Sequence, residues 1–197
     1  MADVDFFAGL DLGQARDYTA LAILQRTRAS PGAEKSFAVR HLERFPLGTP
    51  YPEVCRQLVS LFERPPLSGA DLVVDVTGVG RAVLEMIRRA RPRAAIRPLT
   101  ITTGHGVVVD GAGWHVAKKE LVSVLQVLLQ TRRLHVARLL PMAGVLAKEL
   151  EAFRVKITAS ANETFEAWRE RDHDDLVLAV ALAAWVGARG LRQFWVA

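Results

Sequence analysis

Two apolar runs, residues 6–10 and 19–24, flank the polar stretch from Asp11 to Tyr18, and the glycine at Gly13 breaks the pattern between them. Apolar, β-branched and aromatic residues on either side of a glycine turn predict a β-hairpin that carries Asp11 in or beside the core. A polar turn, Ala29-Ser30-Pro31-Gly32-Ala33, precedes residues 35–45, whose alternation predicts a third strand closing an antiparallel meander. The period then changes. Val54, Leu58, Leu61 and Phe62 recur at helical spacing within 53–64, and Pro65-Pro66 ends that helix. Residues 72–76 form a continuous apolar run of the kind found in a strand covered on both faces. The turn Thr77-Gly78-Val79-Gly80 leads into a helix with Val83, Leu84, Ile87 and Ala90 as its inner stripe. A strand over 96–102, the loop Gly104-His105-Gly106 and a hairpin-like stretch ending at Gly113-Trp114 follow. Beyond Lys118 and Lys119, residues 116–130 are apolar except for a stripe at Glu120, Ser123, Gln126 and Gln130, which predicts a largely buried helix. Beyond it are a short strand at 134–137, a helix at 142–152, and a hairpin pairing 153–157 with 164–168. A last helix, the most apolar of the chain, is opened by Asp174-Asp175. A meander followed by βα units is an α/β pattern with a mixed sheet, antiparallel in its first part and parallel beyond, flanked by helices.

The 197 residues suit one domain, 1–197, with one substantial core. Half of them are hydrophobic and 24% charged, which excludes a disordered or low-complexity chain. Lys and Arg number 26 against 21 Asp and Glu, a formal charge of +5, so an anionic partner such as nucleic acid is favoured over a cationic one. Cys55 is the only cysteine, which rules out an intrachain disulfide and a Cys-based zinc site and fits a cytoplasmic location. The last apolar helix is too short for a membrane span, and the acidic start is unlike a signal peptide. No membrane partner is expected.

One feature of the hairpin does not fit plain packing. An ionised carboxylate among apolar residues costs several kcal/mol unless it is paired or binds a cation. Asp11 therefore needs partners, and two places offer them: Asp75, which ends an equally apolar run, and the adjacent Asp174 and Asp175. In a mixed sheet Asp11 and Asp75 can sit on neighbouring central strands and point the same way. An acid at the start of a helix is stabilised by unsatisfied N–H groups without any metal, which accounts for one of the pair. Two adjacent acids meeting two more on strands repel one another, and a cation relieves this.

These residues carry a resemblance. Gly9-Leu10-Asp11-Leu12-Gly13 with Asp17-Tyr18-Thr19, then Val74-Asp75-Val76-Thr77-Gly78-Val79-Gly80, then His173-Asp174-Asp175-Leu176-Val177-Leu178-Ala179 resemble the nuclease domain of the large terminase subunit of tailed bacteriophages. Trp114-His115-Val116-Ala117-Lys118 resembles a Val-Pro-Lys signature of that family, with Ala117 in place of the proline. The resemblance covers nearly the whole chain. It implies a ribonuclease H-like fold close to the resolvase branch, and two-metal cleavage of double-stranded DNA during genome packaging. It also implies a phage or prophage origin with action in the cytoplasm of a bacterial host, and Asp11, Asp75, Asp174 and Asp175 as metal-binding catalytic carboxylates. Terminase large subunits carry a packaging ATPase ahead of the nuclease, and no Gly-x-x-x-x-Gly-Lys-Ser/Thr loop occurs in these residues. The chain is thus expected to be either a free-standing relative or a domain separated from a longer terminase. A packaging ATPase domain or other phage packaging proteins are its expected partners.

The residue types lead to the same chemistry. Carboxylate oxygens are hard ligands, so an all-Asp cluster prefers Mg²⁺ or Mn²⁺ to zinc. Two such ions roughly 3.5–4 Å apart serve an in-line displacement at a phosphodiester. Asp11 is the expected bridging ligand, Asp75 completes one site, and Asp174 or Asp175 the other. Asp175 is preferred because it begins the stripe Asp175, Leu178, Ala179, Leu182 expected to face the sheet.

Candidate phosphate contacts are Lys118, Lys119, Arg169 and Arg171, with Gly78 and Gly80 offering close backbone approach. A tight strand-to-helix turn explains the two glycines at least as well. His173 reads more readily as a loop or cap residue than as a catalyst. Arg88, Arg89, Arg91 and Arg93 read as a solvated helix end, and most of the four tryptophans as core. Three other readings stay open. A Holliday-junction resolvase would share the acids, and a catalytically silent DNA- or protein-binding module would keep the fold without turnover. An actin-type ATP-binding protein shares such an Asp-Leu-Gly hairpin but needs a second domain.

Overall fold

The structure, a computed structural model, describes residues 3–13, 17–78, 80–104, 106–159 and 174–189. In chain order the elements are β1 (Asp3–Asp11), β2 (Ala20–Arg28), β3 (Lys35–Arg44), α1 (Tyr51–Phe62), β4 (Asp71–Asp75), α2 (Gly80–Ala90) and β5 (Ala95–Thr102). Then come β6 (Val107–Asp110), β7 (Gly113–Ala117), α3 (Lys118–Gln130), β8 (Leu134–Val136), α4 (Ala143–Ala159) and α5 (Asp175–Arg189). The fold is α/β, with an eight-stranded mixed sheet in the order β6-β7-β5-β4-β1-β2-β3-β8. β1, β2 and β3 form the antiparallel meander, while β1, β4, β5 and β7 run parallel to one another.

Alternation along β1 divides the core in two. Ala8 and Leu10 pack with Leu21, Ile23, Leu72 and Val74 beneath α1 and α2. Phe7 packs on the other face with Ala22, Leu24, Val73 and the apolar side chains of α3, α4 and α5. The central strands β1 and β4 are covered on both sides, which is why their sequences are continuous apolar runs rather than strict alternations.

α5 is the helix on which this layer is built. From Asp175 to Gly187 every residue except Leu178 is buried, the pattern of a helix enclosed on all sides. Each fully buried Leu or Val side chain there contributes roughly 1.5–3 kcal/mol. Its closeness to β1 depends on Gly9, where a Cβ would overlap the Ala179 carbonyl oxygen and stand 3.0 Å from the Ala183 nitrogen. The C-terminal end of α5 is held by cations. Arg26 donates to the Gly187 carbonyl at 2.8 Å and Lys35 to that of Ala188, where unsatisfied carbonyls and the helix dipole favour positive charge.

Three expectations are corrected. Residues 153–157 are not a strand: α4 continues through them to Ala159, because extending an existing helix adds one hydrogen bond per residue without a new nucleus. The partner segment 164–168 lies outside the described residues. α3 begins at Lys118 rather than at residue 116, since Val116 and Ala117 belong to the ladder of β7 with β5. It is also half-buried rather than largely buried: Leu121, Val122, Leu125 and Leu128 face the core, and Val127 and Leu129 face solvent. Among the described residues no helix is long and apolar enough to cross a membrane.

Candidate functional site

The register of the sheet places Asp11 and Asp75 at the ends of neighbouring strands. β1 and β4 pair from Phe7↔Asp71 to Leu10↔Val74, and each strand ends one residue later, at Asp11 and at Asp75. Residues two apart share a face of a strand, so Asp11 follows Phe7 and Asp75 follows Val73 onto the side that α5 covers. Asp11 is also opposite Ala20 of β2, which is opposite Arg44 of β3, so Arg44 lies in the same cross-strand row. Asp175 is one helical turn before Ala179, the residue that meets Gly9. It thus lies on the seam where α5 touches β1, one turn nearer the end of the strand. The expected stripe needs one change: Leu178 is only half-buried, and Ala179 with Ala183 form the contact.

The electrostatics agree with this placement. The Asp11 carboxyl is raised well above the ordinary aspartate range, first by burial, then by repulsion from Asp75, Asp175 and Asp174, with Lys118 opposing. Lys118 Nζ is 3.3 Å from Asp174 Oδ2, and the Arg44 guanidinium is 3.4 Å from Asp175 Oδ2. Asp75 Oδ1 accepts the Thr77 N–H at 2.8 Å, and the Thr77 hydroxyl oxygen accepts the Ile101 N–H at 2.7 Å, which ties the turn after β4 to β5. Gly78 in that turn has φ +84°, a left-handed conformation that suits glycine. The tight-turn reading is therefore sufficient for it.

Two residues of this region carry no motif in the sequence. Glu149 of α4 is 7% exposed; one carboxylate oxygen accepts the Val177 N–H at 3.0 Å, and the other is ion-paired with Arg44. Burial raises the Glu149 pKa to about 7, with Asp175 and Asp174 adding to the rise while Val177 N–H and Arg44 oppose it. Arg44 in turn lies over the Tyr18 ring, 4.5 Å from its centroid. Glu149 thus supplies a side-chain cap on the first turn of α5. Asp174 contributes its backbone carbonyl, which accepts the Leu178 N–H at 2.9 Å. Lys148 before Glu149 and Glu151 after it read as an ordinary polar helix face, so nothing in the sequence marks Glu149.

The donor set suits a hard divalent cation, since it is entirely carboxylate and Asp11 is desolvated among like charges. Among the described residues, no three His, Cys, Asp or Glu side chains are already gathered as a group that could hold a metal ion. Asp174 and Asp175 are engaged with Lys118 and Arg44. Asp11, Asp75, Asp174 and Asp175 would be the residues to hold an ion.

The other predicted positions are distributed as follows. Lys118 opens α3, and the Ala117 N–H before it donates to Gly106 O at 3.0 Å, so both lysines stand beside the glycine-rich loop. Ala117 has φ −60°, the value proline requires. A proline there would nevertheless forfeit the bond to Gly106. Lys119 is half-buried, and Gly80 opens α2. Trp114 and Trp185 are buried and pack edge to face with centroids 4.8 Å apart. Arg169, Arg171, His173, Trp168 and Trp195 lie outside the described residues. Comparison with protein-family models, curated proteins and solved structures yields no match.

Proposed function

We propose that this chain is a metal-dependent endonuclease of double-stranded DNA, similar to the nuclease domain of phage terminase large subunits and ribonuclease H-like in fold. The observation that carries the reading is that Asp11 and Asp75 end neighbouring strands while Asp175 opens the helix packed against β1. Burial first, and then repulsion from Asp75, Asp175 and Asp174, raises the Asp11 carboxyl. The meander β1 to β3, continued through β1 into parallel β4 and β5 with helices on both faces, supports the fold assignment. The formal charge of +5 supports a polyanionic substrate.

Mg²⁺ or Mn²⁺ ions, when bound in a pair, supply a deprotonated water at neutral pH and stabilise the leaving oxygen of the cleaved phosphodiester. The chain's own contribution is to hold and orient. Asp11 would be one of the residues that hold the cation, fixed at the end of a strand buried on both faces. Asp75 is locked in direction by Thr77. Lys118 is positioned by the start of α3 and can exchange Asp174 for a phosphate oxygen as the strand enters. The rigid contact of α5 with β1 fixes the separation of Asp175 from Asp11.

A catalytically silent DNA- or protein-binding module is the second reading. It is favoured by the ion pairs that engage Asp174 and Asp175. Incubation with supercoiled plasmid separates the two. Nicking or linearisation in Mn²⁺ that is lost with EDTA and with Asp11→Asn supports the nuclease. No cutting at low salt and high protein concentration favours the binding module.

A further inference from the structure

We infer that Glu149 and Arg44 are positioning residues for Asp175, with Glu149 holding the Arg44 guanidinium so that it does not compete with a divalent cation for that carboxylate. The inference rests on the nuclease reading above. Its geometry is a bracket of three elements. Glu149 of α4 reaches the Val177 N–H in the first turn of α5 at 3.0 Å and binds Arg44 with its other oxygen. Arg44, from the end of β3, lies 3.4 Å from Asp175 Oδ2.

A purely structural pair does not explain this arrangement fully. One carboxylate would be enough to cap α5, and Asp174 or Asp175 already stands in the right place in the sequence to do it. A third acid reaches the first turn of α5 from another helix, and it brings in a cation at the same time. The Arg44 guanidinium then has two carboxylates within reach, and its charge is shared between Glu149 and Asp175. Tyr18 supports the guanidinium from its face, so its place among the acids does not rest on Asp175 alone. Remove the charge of Glu149 and Arg44 is left with Asp175 as its carboxylate partner, so a divalent ion must displace a stronger ion pair.

Glu149→Gln separates this role from capping, because the amide oxygen still accepts the Val177 N–H while the charge is gone. The measurement is the rise in melting temperature as Mn²⁺ is titrated into the metal-free protein, for wild type, Glu149→Gln, and Glu149→Gln combined with Arg44→Met. The single variant should need about tenfold more Mn²⁺ to reach half of the full rise, within the range of a coupling between two sites. The double variant has no competing guanidinium and exchanges a buried ion pair for neutral groups, a change that folds tolerate. Its midpoint should return to within about threefold of wild type, whereas two merely structural defects would add. An unchanged midpoint in Glu149→Gln, or a double variant no better than the single, overturns the inference while leaving the nuclease reading intact. Wild-type protein that shows neither a Mn²⁺ shift nor cleavage removes the nuclease reading and this inference with it.

Discussion

Ionising Asp11 works against the fold, because its carboxyl is desolvated and three other acids act on it. Asp11→Asn keeps the shape and removes one charge from a repelling set. In EDTA this variant should therefore melt roughly 2–4 °C above wild type, about 1 kcal/mol for a chain of this size, and it should not cut DNA. A lower melting temperature would instead indicate that Asp11 is one half of a structural ion pair. Glu149 adds a dependence on pH. Its pKa rises from the ordinary 4.5 to about 7 on folding, and that of Asp11 also rises. Over this interval the folded protein holds more protons than the unfolded chain, so stability falls as pH increases. Asp110 is held below the ordinary range, mainly by the Ala112 N–H, and titrates at lower pH. Thermal melts in EDTA from about pH 5 to pH 7 should thus show a decline that Glu149→Gln flattens.

At the scale of elements, the start of α5 distinguishes a capping acid from a ligand. Because Glu149 takes the Val177 N–H, Asp175→Ala should cost little stability in EDTA, well under the roughly 1 kcal/mol of a lost cap. It should at the same time abolish most of the stabilisation by Mn²⁺ and the cleavage activity. Melts with and without Mn²⁺, run beside Asp174→Ala, measure both quantities. If both variants keep the wild-type Mn²⁺ shift and still cut, the four-carboxylate site is wrong. Gly9→Ala tests the opposite property of α5, its closeness to the sheet. The added methyl meets main-chain atoms of Ala179 and Ala183, so a loss at the upper end of the roughly 1–3 kcal/mol of overpacking is expected in chemical denaturation. These relations differ in how far the sequence reveals them. Asp11, Asp75 and Asp175 stand out in the sequence because each interrupts, ends or opens an apolar run, and a charge in such a place is conspicuous. Glu149 and Arg44 do not, since their pairing exists only where α4 crosses the end of β3. The strand expected over residues 153–157 failed for a related reason: Phe153, Val155 and Ile157 alternate, but a helix already running through Ala143 sets the local structure.

For the whole molecule, excess positive charge predicts DNA binding that is strong at low salt and weakly selective. Neutralising several phosphates releases counterions, so affinity for plasmid or a duplex oligonucleotide should fall steeply between about 50 and 200 mM salt, by orders of magnitude if six or more phosphates are contacted. Fluorescence anisotropy across that range, in EDTA to prevent cutting, gives the slope. The mixed sheet was foreseeable from the change of period along the chain, while the strand order had to come from the pairing itself, because β8 joins the outer edge of β3 from far along the sequence. The contact at Gly9 has a further consequence for how this molecule can change over time. Most tight packing in a protein can be relieved by shrinking a neighbour, so that two positions drift together. Here the atoms in the way are a carbonyl oxygen and an amide nitrogen, which every amino acid carries. No replacement at 179 or 183 makes room for a side chain at 9. A library randomised at all three positions and selected for folding should return diverse residues at the two helix sites and glycine alone on the strand, an address in the chain that has no compensating partner.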